Sequence, residues 1–185
     1  MDRKKKYKIA IIICFYLVEF TLFILSILNN KYDYINELIS AVVVFSIYVF
    51  FEFKYHLNIS NYLVAFISLT IISHNFFGNY MGLYTTSTVF DKVLHVFGTY
   101  AFSLFFYEII LRILKQPANL KFYNVAIVIL LGISIGTFFE IAEFFGDIMF
   151  HPEKPYQPGL VDTDIDLIAN TLGAFAAGLH LYFNR

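Results

Sequence analysis

The chain has 185 residues, of which 59% are hydrophobic, 20% aromatic and only 15% charged, with a formal net charge of −1. A soluble domain carries about 25% charged and 45–50% apolar residues, so an ordinary soluble enzyme is excluded, and nothing in the charge points to nucleic acid. A single cysteine, Cys14, excludes an internal disulfide or a multi-cysteine metal site and reads as a small core hydrophobe.

The apolar residues fall in blocks near 9–28, 36–53, 61–78, 91–114, 124–148 and 164–183. A bilayer core takes roughly 20 apolar helical residues to cross, which predicts an all-α, polytopic transmembrane bundle of about six helices forming a single membrane domain over 1–185. The first block follows Arg3-Lys4-Lys5-Lys6 and is longer than a signal-peptide core. No small-residue cleavage site follows it, so it reads as an uncleaved span. All four prolines (Pro117, Pro152, Pro155, Pro158) lie between blocks, as helix continuity requires.

Lysine and arginine set the orientation. With the N-terminus inside, Arg3, Lys4, Lys5, Lys6, Lys8, Lys54, Arg112, Lys115, Lys121 and Arg185 face the cytoplasm. Only Lys31, Lys92 and Lys154 face the other side, so both termini are expected to be cytoplasmic. Gly132 and Gly136 form a GxxxG pair on the fifth span, and Ala174 and Gly178 a small-xxx-small pair on the sixth. Such pairs let helix backbones approach closely in lipid. Tyr7, Tyr32, Tyr62 and Tyr182 mark span ends, where tyrosine forms the interfacial belt.

Ionisable residues inside spans are costly and each needs a reason. Asp91 and His95 are four apart on the fourth span; Glu140, Glu143 and Asp147 share a face of the fifth; Asp162, Asp166 and Asn170 step by four on the sixth. With Asp164, these groups all fall near the outer end of their spans. Asp91, Asp162 and Asp164 are also read as helix caps. The fifth-span acids resist that account, because they approach a helix C-terminus, where the dipole disfavours negative charge. Seven carboxylates then face only Lys92, His95 and Lys154, so protons or a cation must balance them.

Two chemistries suit this set. Asp91, His95, Glu140, Glu143 and Asp166 offer oxygen and imidazole ligands for a divalent cation (Mg, Mn, Zn or Ca). Glu143, His95 and Glu140 would then act as acid–base groups, with Asp147, Asp162, Asp164 and Asn170 in support, on an envelope lipid or another small molecule. Alternatively the carboxylates relay protons or cations in a small transporter, or the cluster only packs helices in a non-catalytic scaffold. Elsewhere, Glu108 and Arg112 form an i,i+4 ion pair, and Glu52 beside Lys54 reads as an interfacial charge. Glu19 in mid-span is either protonated or part of a path to the cluster. His74 and His151 read as loop or interface residues, and His56 and His180 lie toward the cytoplasmic side, away from the cluster.

Two family resemblances rest on these residues. Asp91-Lys92-Val93-Leu94-His95-Val96-Phe97-Gly98, with Glu108 and Arg112, resembles the YjdF-like family of bacterial inner-membrane proteins. So do Phe139-Glu140-Ile141-Ala142-Glu143-Phe144 and Asp162-Thr163-Asp164-Ile165-Asp166. Gln157-Pro158-Gly159-Leu160-Val161 departs from the small, polar, glycine-rich stretch of that pattern. More loosely, Asp91-Lys92 with His95, a glutamate on the next helix, and Asp166, Asn170 and Gly173 are similar to VanZ-like membrane proteins. The first resemblance implies a multi-pass protein of a bacterial plasma membrane, and the second implies a link to glycopeptide tolerance.

Overall fold

The computed structural model describes residues 3–114, 120–152 and 155–184. Lys115, Pro117, Lys154 and Arg185, used in the reading above, lie outside them. Among the described residues the chain is all-α, with seven helices: α1 (Arg3–Leu28), α2 (Ile35–Tyr55), α3 (Asn61–Ile72), α4 (Leu83–Thr86), α5 (Phe90–Leu114), α6 (Lys121–Phe150) and α7 (Leu160–Asn184). A 3₁₀ turn (Tyr32–Tyr34) leads into α2, and a π-helical stretch (Ser73–Tyr80) continues α3.

Every apolar block lies within one helical run. Four runs are long and apolar enough to cross a membrane: Arg3–Leu28, Tyr32–Tyr55, Phe90–Leu114 and Lys121–Phe150. The block at 61–78 is divided between the 12 residues of α3 and the π-helical stretch. The last block sits in the 25-residue α7, which carries Asp162, Asp164 and Asp166 in its first two turns and is less apolar than the four. Large apolar side chains stay exposed along the helices, among them Leu17 (62%), Val44 (63%) and Phe138 (71%). A soluble protein rarely leaves so many uncovered, whereas lipid covers them without cost.

The chain divides into two compact units, Met1–Asp91 and Lys92–Arg185. In the first, α1 packs on α2 and α3 around Phe15 and Phe45, whose rings stack at 3.9 Å, with Leu63, Val64 and Ile67 buried beside them. Cys14 is exposed: it sits one position before buried Phe15, so the helical period turns it away from the core. Glu52 is buried and pairs with Lys8, while its Oε2 accepts the Ile59 N–H at 3.3 Å. That corrects its reading as an interfacial charge: the sequence neighbour Lys54 instead lies over the Phe50 and Tyr55 rings. Glu19 is 1% exposed and accepts from Asn75 Nδ2 at 2.8 Å.

In the second unit, α6 and α7 pack face to face through the expected small residues. A Cβ on Gly132 would collide with Ser103 Oγ and Ala174, and one on Gly178 with the Ile129 side chain. Helix α6 ends at Phe150, where His151 takes a left-handed conformation (φ 45°) and Pro152 follows. Arg112 donates to Glu108 at 2.9 Å, the predicted i,i+4 pair.

Candidate metal centre in the second unit

Each polar set occupies the helix face that its spacing implies. His95 lies on α5, Glu140 and Glu143 on α6, and Asp166 and Asn170 on α7, so side chains distant in sequence meet around one imidazole. His95 Nδ1 is 3.6 Å from Glu140 Oε1, and Nε2 is 4.0 Å from Glu143 Oε1 and 3.7 Å from Asp166 Oδ1. One ligand atom each from His95, Glu140 and Glu143 lies within 4.8 Å of the others. Asp91 stands one helical turn before His95 on α5.

The two ring nitrogens face different partners. On the Nδ1 side, Asn170 Oδ1 lies at 3.2 Å and also accepts from Thr99 Oγ1 at 2.6 Å. Asn170 Nδ2 donates to Glu140 Oε1 at 3.2 Å. With its oxygen accepting from Thr99 and its amide group donating to a carboxylate, Asn170 can be read only one way round. Its oxygen therefore faces Nδ1, which must carry the proton. In the neutral ring that leaves the lone pair on Nε2, the nitrogen nearer Glu143 and Asp166.

Glu140 is 4% exposed and sits behind this arrangement. Gln157 Nε2 donates to the Glu140 backbone oxygen at 2.8 Å and to Oε2 at 3.3 Å. Gln157 is held in turn by Asp147, whose two oxygens accept the N–H groups of Tyr156 and Gln157 at 2.7 and 2.9 Å. Asp147 therefore fastens the segment before α7, and the residues that depart from the family pattern bring a side chain to the cluster. Nothing in the periodicity of the helices singles out Gln157, because it belongs to none of them.

The expected caps take other roles. Ser87 Oγ accepts the Phe90 N–H at 3.1 Å, so the start of α5 is capped by Ser87 rather than Asp91. Asp162 accepts from Lys92 Nζ at 2.7 Å, and the same ammonium lies 2.7 Å from the Asp166 carboxylate. Asp164 is exposed. Four carboxylates of this unit (Glu140, Glu143, Asp162 and Asp166) thus gather near one ammonium and one imidazole.

Close helix approach makes the geometry possible. A Cβ on Gly136 would lie 2.5 Å from Asn170 Cβ. Gly136→Val is therefore expected to destabilise the protein by about 1–3 kcal/mol through overpacking. Unfolding of the purified variant in mixed micelles measures it, and an unchanged midpoint would mean that α6 and α7 can separate freely at this level.

Long apolar helices with exposed apolar flanks, and ionisable side chains gathered inward, define a multi-helix membrane protein. Residues 9–185 match the family described as "Predicted membrane protein (DUF2238)", and the chain belongs to that family, the YjdF-like one. A protein of Thermotoga maritima, described as uncharacterized, is 30% identical over 143 residues, covering 75% of this chain and 70% of the relative. No solved structure matches the chain. The VanZ-like resemblance finds no support among these comparisons.

Proposed function

We propose that the second unit holds a divalent cation at His95 and that the protein is a metal-dependent enzyme acting on an envelope lipid. The observation that carries this reading is the imidazole of His95, oriented by Asn170 through Nδ1, with Nε2 directed at Glu143 and Asp166. Ligand atoms bound at 2.0–2.6 Å from one centre stand about 3–4 Å apart, close to the spacings here. Glu140 braces Asn170 from behind.

A bound divalent cation supplies Lewis acidity and an activated water at neutral pH. Glu143, the more exposed of the two α6 glutamates, is the base that takes the proton, and Lys92 holds Asp166 and Asp162 in place. Lipid is the substrate class because the surrounding helix faces are apolar. The positive-inside distribution supports both termini in the cytoplasm of a bacterium and the cluster at the outer face of its plasma membrane.

Metal analysis of the purified protein tests the reading. The wild-type chain is expected to retain one divalent ion per molecule after dialysis against metal-free buffer, and Glu143→Gln to lose most of it. Equal, negligible metal in both proteins would sink the proposal.

A further inference from the structure

The first unit contains a second polar constellation, unconnected with metal binding, in which a tyrosine, a histidine and a glutamate stand in series. His74 Nε2 is 3.0 Å from Glu37 Oε2, and His74 Nδ1 is hydrogen-bonded to the Tyr84 hydroxyl at 2.5 Å. Asn79 donates to the same Glu37 oxygen through Nδ2. His74, read above as a loop or interface residue, lies instead inside the continuation of α3, between α2 and α4.

The local backbone is specialised to build this row. His74 and Asn79 are five positions apart, a spacing that an α-helix splays apart and a π-helix brings onto one face. The stretch Ser73–Tyr80 is π-helical, with the Met81 N–H donating to Phe76 O at 2.8 Å. Such segments recur at functional sites because they cost helix stability and persist only where a side-chain placement requires them. Tyr84 is seated by two glycines. Gly82, at φ 76°, turns the chain into α4, and Gly78 leaves the space that the Tyr84 ring fills, since a Cβ there would overlap the ring. Phe90 also packs edge-on against that ring, with centroids 5.4 Å apart.

Proton positions follow from the chemistry of the partners. A carboxylate only accepts, so Nε2 donates to Glu37, and the neutral form of the ring has its lone pair at Nδ1. Tyr84 then donates its hydroxyl proton to Nδ1. A nucleophile hydrogen-bonded to a base, with the base oriented by a third group, is the arrangement that activates hydroxyl nucleophiles. Tyr84 is half-buried, and Glu37 and His74 are partly exposed, their side chains at 20% and 39%, so a reactant can approach.

We propose that Glu37, His74 and Tyr84 form a nucleophilic site whose reactive atom is the Tyr84 oxygen. Its substrate class is an electrophilic group-transfer donor. The Tyr84 oxygen forms a bond to the electrophilic centre, the bond from that centre to its leaving group breaks with the electron pair departing on the leaving group, and the phenolic proton passes to His74 Nδ1. Asn79 and Glu37 are positioning residues that hold the imidazole.

An aryl sulfonyl fluoride tests this on the full chain in detergent, with labelled tyrosines located by peptide mass spectrometry. The O–S bond forms at tyrosine, the S–F bond breaks and fluoride leaves. The chain's 14 tyrosines supply internal references. Tyr84 is expected to label roughly 100-fold faster than Tyr7 or Tyr62, the scale of general-base assistance. His74→Gln is expected to bring Tyr84 to the rate of those references while leaving their rates unchanged. Glu37→Gln, which keeps the size and a hydrogen-bonding oxygen, is expected to fall between the two and decides the matter if His74→Gln does not fold. Tyr84 labelling no faster than Tyr7 and Tyr62 in the wild-type protein overturns the proposal. So does fast labelling that a folded His74 or Glu37 variant leaves unaltered.

Discussion

If the proposed divalent cation binds at His95, Asn170→Leu is expected to lower the affinity of the purified protein for it about 10–100-fold, although Asn170 is not one of the proposed ligands. The reason lies in the hydrogen bonds around one side chain. Asn170 Oδ1 faces His95 Nδ1 at 3.2 Å, and its amide group donates to Glu140 at 3.2 Å. A leucine of similar volume removes the acceptor that keeps the proton on Nδ1, so the ring populates the tautomer and rotations in which Nε2 no longer offers a lone pair. Glu140 loses a donor at the same time, and a buried carboxylate left short of partners is repelled by its neighbours. His95→Gln, which removes the proposed nitrogen ligand outright, is expected to lose binding more completely. Thr99→Val is expected to have the smallest effect of the three, because it removes only the 2.6 Å bond that steadies Asn170. Competition against a fluorescent metal indicator orders the three variants, with circular dichroism reporting that each keeps its helices. Wild-type affinity in a folded Asn170→Leu protein would show that His95 is not oriented through Nδ1.

How much of this was legible in the sequence depends on what each residue's placement requires. Helical spacing alone put Glu140 and Glu143 on one face of α6 and Asp166 and Asn170 on one face of α7, and the structure brings those faces to His95. The GxxxG pair likewise pointed to a close helix approach without naming the partner, which the structure shows to be α7 against Gly132 and Gly136. Periodicity carries no information about contacts made by irregular segments, so Gln157 stayed hidden, as did the use of Asp147 to fasten it. Nor does α-helical spacing apply where the helix changes pitch. His74 and Asn79, five apart, share no α-helical face, and the π-helical stretch that unites them over Glu37 has no signature that hydropathy detects. Cys14 shows the opposite limit: an apolar block contains lipid-facing and core-facing positions alike, and only packing separates them.

The partnership of Lys8 with Glu52, across 44 positions of sequence, was equally invisible, and it carries the largest expected stability effect in the first unit. Both residues are buried, at 7% and 4% exposure. Lys8→Met keeps most of the aliphatic stem and removes the charge, leaving the Glu52 carboxylate buried without its cation. Breaking one side of such a pair costs about 3–5 kcal/mol, because the remaining charge has been taken out of water and nothing offsets it. The double variant Lys8→Met, Glu52→Gln is expected to recover most of that loss: the charge is gone, and the glutamine oxygen can still accept the Ile59 N–H that Glu52 now takes at 3.3 Å. Glu52→Leu in the same background removes that acceptor as well and is expected to cost about 1–3 kcal/mol more, the penalty of a buried amide left unpaired. Unfolding free energies of the single and double variants in mixed micelles form a mutant cycle, whose coupling term isolates the pair from the packing of either side chain. Strictly additive losses would mean that the two charges are solvated separately. A strong coupling term would identify the pair as the link that ties the N-terminal turns of α1 to the last turn of α2.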